Sequence, residues 1–139
     1  MTTRTQRFTI AAAVLGLALA GQVALPAGTA QAACTPALDI GLTIKSGTQV
    51  KGSGSYTKCS STDPNWYWIE ITLEEQQGLL WARRSSVTLR PAALGSAART
   101  VSASCAGHGT DNWRTVITRG PDNGTRSQTK VSNVLRVTC

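Results

Sequence analysis

Residues 65–74 read Asn65-Trp66-Tyr67-Trp68-Ile69-Glu70-Ile71-Thr72-Leu73-Glu74. Side chains of an extended backbone alternate between two faces, so a period of two identifies a strand where 3.6 would identify a helix. Here Tyr67, Ile69, Ile71 and Leu73 fall on one side, and Trp66, Trp68, Glu70, Thr72 and Glu74 on the other, which predicts a strand with one face turned to a core. The same alternation predicts strands at 38–45, 49–56, 79–83, 86–89, 100–105, 113–118 and 130–138. Turn signals separate them. Glu75-Gln76-Gln77-Gly78 reads as a hairpin turn, and Gly120-Pro121-Asp122-Asn123-Gly124 holds both Pro-Asp and Asn-Gly. Residues 91–96 fit one helical turn or a linker. Short strands punctuated in this way predict an all-β chain folded as a single small immunoglobulin-like β-sandwich.

The chain has 139 residues, 41% hydrophobic and 15% charged, a composition that excludes a disordered tail and suits one domain. Its first 32 residues have the layout of a cleaved signal peptide. Arg4 and Arg7 form a basic start, an apolar run occupies 10–21, and Ala30-Gln31-Ala32 matches a small-x-small cleavage site. The run falls short of the ~20 residues that cross a bilayer. We therefore expect secretion, a domain over residues 33–139, and no membrane association once the signal is removed. A lipid anchor on Cys34 is the rival reading, but Gln31-Ala32-Ala33 lacks the usual apolar residue three places before an acylated cysteine.

Cys34, Cys59, Cys105 and Cys139 are separated by 24, 45 and 33 residues. No C-x-x-C pair occurs and the chain has one histidine, so metal ligation is not expected. An exported chain instead points to two disulfides. Three pairings are open; Cys34 with Cys59 and Cys105 with Cys139 is favoured because each pair brackets a self-contained group of strands.

Catalysis has little to build on. His108 lies in the glycine loop Ala106-Gly107-His108-Gly109-Thr110-Asp111, where a solvated, inert side chain is expected, and no G-x-S-x-G occurs. Glu70 and Glu74 would stand ~13 Å apart on an extended strand at ~3.3 Å per residue, too far for a paired-carboxylate glycosidase. Glu74-Glu75 reads as a solvated charge pair. We expect no enzyme, catalytic set, cofactor or metal. Residues 33–80 carry a net charge of −2 and residues 81–139 a net +7. The basic half could meet an acidic protein or an anionic polymer, whereas nucleic acid is not expected outside the cell.

The aromatic strand is the sharpest clue to function. With the aliphatic side inward, Trp66 and Trp68 would project beside Glu70 as an apolar patch, the kind of surface that marks binding sites. The alternative is that they fill gaps under a loop or form cation–π contacts with Arg83 or Arg84. Trp81 and Trp113 are expected in the core. The candidate binding set is thus Trp66, Tyr67, Trp68, Glu70, Arg83 and Arg84. Three uses fit: docking other secreted proteins as an adaptor, stacking a cell-surface glycan on Trp66 and Trp68, or inhibiting a protease through residues 106–111.

Cys59-Ser60-Ser61-Thr62-Asp63-Pro64-Asn65-Trp66 also resembles the stretch from Cys105 through Thr110-Asp111-Asn112 to Trp113. The match fits either two related hairpins or convergent turn chemistry. With the alanine-rich export signal, about a hundred mature residues, four scattered cysteines and the run Asn65-Trp66-Tyr67-Trp68-Ile69-Glu70, the chain resembles the small secreted β-proteins of actinobacteria. Within them its format is similar to the adaptor subunit of umbrella toxin particles. That resemblance implies a non-catalytic connector between lectin-like propeller subunits and the repeat-built stalk of a large antibacterial toxin complex. It also implies attachment by strand pairing at a free sheet edge.

Overall fold

The computed structural model describes residues 33–139. The expected signal peptide over residues 1–32 lies outside them. The described chain is all-β and forms two packed antiparallel sheets. In the first, β3 (Gln49–Lys58) is central, with β1 (Ala37–Ile40) and β2 (Ile44–Ser46) on one side and β6 (Gly95–Ser104) on the other. The second runs β5 (Leu80–Leu89), β4 (Trp68–Gln77), β7 (Thr110–Gly120), with β8 (Gln128–Val131) and β9 (Leu135–Thr138) sharing the far side of β7.

The period-two pattern sorts the side chains. Ile69, Ile71 and Leu73 of β4 meet Val50 and Tyr56 of β3, Trp113 and Ile117 of β7, and Val101 of β6 in one core. Burying such side chains contributes roughly 1.5–3 kcal/mol each, which drives the sheets together. Glycines in β3 set how closely they approach. A Cβ on Gly52 would lie 1.9 Å from Thr115 Oγ1, and one on Gly54 would lie 2.9 Å from Ile117 Cδ1.

Four expectations about the elements change. Segment 65–67 is not strand: Asp63 caps a 3₁₀ turn, Pro64–Trp66, by accepting from the Asn65 N–H at 3.0 Å, so β4 begins at Trp68. The hairpin turn is shorter, because β4 continues to Gln77 and only Gly78-Leu79 turns, with Gly78 supplying the positive φ of 62° that a two-residue loop requires. Segments 79–83 and 86–89 are one strand. Its register steps from Leu73↔Ser85 to Glu74↔Arg83, leaving Arg84 as the extra residue of a bulge. Finally, 38–45 and 130–138 each divide into two short strands, and the two breaks are tied together. Thr43 Oγ1 bonds Thr115 Oγ1 at 2.7 Å and Ser132 Oγ at 2.8 Å, and its N–H donates to Asn133 Oδ1 at 2.9 Å.

The disulfides are Cys34–Cys59 and Cys105–Cys139, with Cα atoms 5.6 and 5.7 Å apart. Such cross-links suit an oxidising compartment. The internal match acquires a structural meaning. Cys59 directly follows β3 before the chain crosses to β4, and Cys105 directly follows β6 before it crosses to β7. Since β3 pairs β6 and β4 pairs β7, the two crossovers occupy corresponding places, although Trp66 lies in a turn and Trp113 in a strand.

Candidate functional site: a long free edge and a charged outer face

The structure does not gather Trp66, Tyr67, Trp68, Glu70, Arg83 and Arg84 into one surface. Trp66 is 4% exposed and Trp68 7%, so the expected outward indole patch does not exist. The reason is local. The 3₁₀ turn takes Trp66 out of the strand alternation and seats it at the edge of the core, with the Arg119 guanidinium 4.3 Å from its ring centroid. Arg119 is anchored there by donating to the Asn65 carbonyl at 2.9 Å. Trp68 keeps its expected face but is roofed by the chain beyond β7: a Cβ on Gly120 would meet the Thr125 carbonyl and the Trp68 ring together. Tyr67 is half-buried beneath Arg90, whose Cζ is 5.4 Å from the ring centroid. Asp122 hydrogen-bonds the Arg90 guanidinium and raises its pKa above the ordinary value.

Arg83 and Arg84 do not stack on the indoles. Arg83 Nη1 pairs with Glu70 Oε1 at 2.8 Å on the outer face of the second sheet. Beside that pair, Arg114 Nε bonds Glu74 Oε2 at 2.8 Å and its Cζ lies 4.0 Å from the centroid of Trp81. Trp81, expected in the core, is half-buried on this outer face, whereas Trp113 is fully buried as expected.

The bulge sends Arg84 to a different partner. Glu75 continues the inward side of β4, and its side chain is 1% exposed. Arg84 donates to its Oε2, and His108 Nδ1 lies 2.8 Å from its Oε1. His108 also meets the Trp113 ring edge-on at 6.1 Å between centroids. Glu75 is therefore no solvated charge and His108 no free loop side chain. The bond from Arg84 carries good geometry, while the close approach of His108 is poorly aligned and leaves Oε1 without a well-formed hydrogen bond. We read the cluster as a buried ion pair closed over by the loop that the Cys105–Cys139 bridge holds. Sequence alone gave little sign of it, since the signal is a bulge on the neighbouring strand. Among the described residues no three of His, Cys, Asp and Glu gather as a metal-binding group.

What the fold does assemble is an open edge. Four of the strands bordering the two sheets, β1, β2, β8 and β9, are three or four residues long. The other two, β5 and β6, have ten residues each. Natural edge strands are guarded by shortness, bulges, proline or charge. β5 has its bulge and two adjacent arginines. β6 pairs β3 without a break from Gly95↔Lys58 to Ser104↔Gln49, and its side chains are small apart from Val101 and Arg99. Cys105 N–H donates to the Thr48 carbonyl at 2.9 Å, which sets the phase of the ladder. In an antiparallel pair every second residue bonds its neighbour, so the odd-numbered residues of β6 face β3. Ser96, Ala98, Thr100 and Ser102 turn their backbone N–H and C=O groups outward, with no strand beyond them among the described residues. One outward acceptor is occupied: Arg99 Nη1 donates to the Ala98 carbonyl at 2.8 Å. Residues 95–99 of this edge escape a sequence reading because Gly95-Ser96-Ala97-Ala98 lacks the branched and aromatic residues that mark strands.

No family model matches this chain, and no curated protein does. A solved structure, a β-glucosidase from Kluyveromyces marxianus in complex with glucose, is similar over 76% of this chain and 15% of its own, at 10% identity and a TM-score of 0.36. The chain thus spans a small part of that protein's length.

Proposed function

We propose that this chain is a secreted, non-catalytic adaptor that binds another secreted protein by accepting an extended segment of it along β6. The observation that carries the reading is the row of outward backbone groups at Ser96, Ala98, Thr100 and Ser102 on a straight ten-residue edge. Strand addition takes its affinity from such main-chain hydrogen bonds and its specificity from alternate side chains. Arg99 supplies that specificity: a carboxylate on the incoming segment draws the guanidinium off the Ala98 carbonyl and frees that acceptor. The two disulfides support export. In the context of the resemblance noted above, the partner is a subunit of a larger antibacterial toxin complex. Glycan stacking on Trp66 and Trp68 loses its platform, because both rings are buried.

Affinity capture from culture supernatant tests the proposal, comparing the tagged wild type with Thr100→Pro. Proline at this position removes an outward N–H without costing a bond to β3, so the sheet survives. The expected result is a stable partner retained by wild type and lost by the proline variant, with both proteins folded by circular dichroism. Equal recovery by both, or self-association of the wild type as the sole product, would overturn it.

A further inference from the structure

The two sheets are unequal in width. β1 and β2 lie one after the other along the same side of β3, so the first sheet is three strands across. β8 and β9 likewise share one side of β7, and the second sheet is four across. The narrower sheet is centred on the wider one: β1 packs on β7 and β8, β3 on β4 and β7, and β6 on β4 and β5. The edge strand β5 is thus only partly roofed by β6. Burial records the shortfall. On β4 the inward residues Ile69, Ile71 and Leu73 are at most 1% exposed, whereas no residue of β5 is fully buried.

The register identifies what that opening exposes. Ala82, Ser85, Val87 and Leu89 pair with Glu75, Leu73, Ile71 and Ile69 and so share their inward direction. On β6 the residues paired with the inward side of β3 are Ala97, Arg99, Val101 and Ala103. Val87, Leu89, Ala97 and Ala103 are half-buried and pack at the margin of the core. They form an apolar strip between two sheet edges, alongside the outward backbone groups of β6. A strand paired to β6 would send every second side chain over this strip, because those opposite Ala97, Val101 and Ala103 share their face. Arg99 sits among them. Of the arginines on β5 and β6, Arg83 and Arg84 are matched by Glu70 and Glu75, and Arg99 has no carboxylate partner among the described residues.

We infer, resting on the strand-addition reading of β6, that the partner supplies an amphipathic extended segment. Apolar side chains at alternate positions cover Val87 and Leu89, and one carboxylate among them stands opposite Arg99. The added strand widens the first sheet to match the second. Main-chain hydrogen bonds are available to any extended sequence, so the alternate side chains select the partner. A second copy of this chain does not meet the requirement. The antiparallel β6–β6 registers of greatest overlap put the two Arg99 side chains opposite or diagonal to each other, a like-charge contact, and bring no carboxylate.

An NMR titration of the isotope-labelled protein tests it, with a short peptide in which valine alternates with threonine and glutamate replaces the central valine. The expected result is slowed hydrogen exchange at the Ser96, Ala98, Thr100 and Ser102 amides together with shifted methyl signals of Val87, Leu89, Ala97 and Ala103. Threonine at the valine positions keeps the peptide's shape and removes its apolar side, and should weaken binding about tenfold. Glutamine for the glutamate should weaken it roughly two- to fivefold. Arg99→Glu, at an exposed position, should reverse the preference toward a peptide with lysine there. Protected amides with unmoved methyl signals, or equal affinity for the valine and threonine peptides, would overturn the inference and leave strand addition standing. So would failure of every peptide to bind while a partner is still captured through β6. Binding without protection of the four amides would overturn both readings.

Discussion

The Glu75 carboxylate, buried on the inward side of β4, has His108 Nδ1 2.8 Å from one oxygen and the Arg84 guanidinium on the other. Arg84 reaches it because the β5 bulge inserts this residue between the partners of Leu73 and Glu74. The bulge thus brings a guanidinium to the buried carboxylate.

Replacing Arg84 by Met should therefore be costly. It leaves a buried carboxylate without its principal partner, which destabilises by about 3–5 kcal/mol. Arg83→Met removes the neighbouring pair, in which Arg83 is 51% exposed, and should cost only ~0–1 kcal/mol. Urea unfolding of both variants checks this; equal midpoints would show that the Glu75 pair is not buried as described.

Trp66→Ala and Trp68→Ala should act on stability before binding. Truncating a packed tryptophan costs about 3–5 kcal/mol through lost burial and the cavity left behind. Trp81→Ala, on the half-exposed outer face, should cost clearly less. Differential scanning calorimetry of the three variants gives the order, and a Trp81 effect as large as the others would contradict the burial assigned to it.

Gly52→Ala should destabilise by roughly 1–3 kcal/mol, the cost of overpacking a closed interior. The new Cβ would stand 1.9 Å from Thr115 Oγ1 and 2.7 Å from its Cγ2. Thr115→Ala removes both atoms and also the bond to Thr43. In the double variant the clash is largely relieved, so the two costs should add to less than their sum by at least ~0.5 kcal/mol. Additive denaturation energies would place the sheets further apart than the structure does.

The disulfide pairs close sequence separations of 25 and 34 residues. Removing either by paired Cys→Ala substitution should cost about 3–4 kcal/mol in the chain-entropy model. Peptide mapping without reduction should recover Cys34 with Cys59 and Cys105 with Cys139, and a Cys59–Cys105 peptide would refute the arrangement.

Much of the sandwich was readable in the chain. Alternation marked Ile69, Ile71 and Leu73 as core, and the glycine and proline clusters marked where strands end, because strand geometry and turn conformations are local properties. Of three cysteine pairings that the sequence left open, the structure has the favoured one, Cys34 with Cys59 and Cys105 with Cys139. The surface was harder. Trp66 and Trp68 were expected outside because alternation assumes an unbroken strand with an open far face. A three-residue turn at Pro64–Trp66 and the chain after Gly120 break both assumptions. Trp81 erred the other way: its neighbours in sequence look apolar, but its register partner Gln76 lies on the outer face.

Residue order alone therefore determined the strand character, the apolar side of β4 and the places where the chain turns, since each depends on neighbours a few positions apart. Tertiary structure decided which edges remain open, that Glu75 meets Arg84 and His108, and which cysteines are joined. These relations join residues from different strands, and their energies depend on register, sheet spacing and exclusion of water, none of which exists until the two sheets have packed.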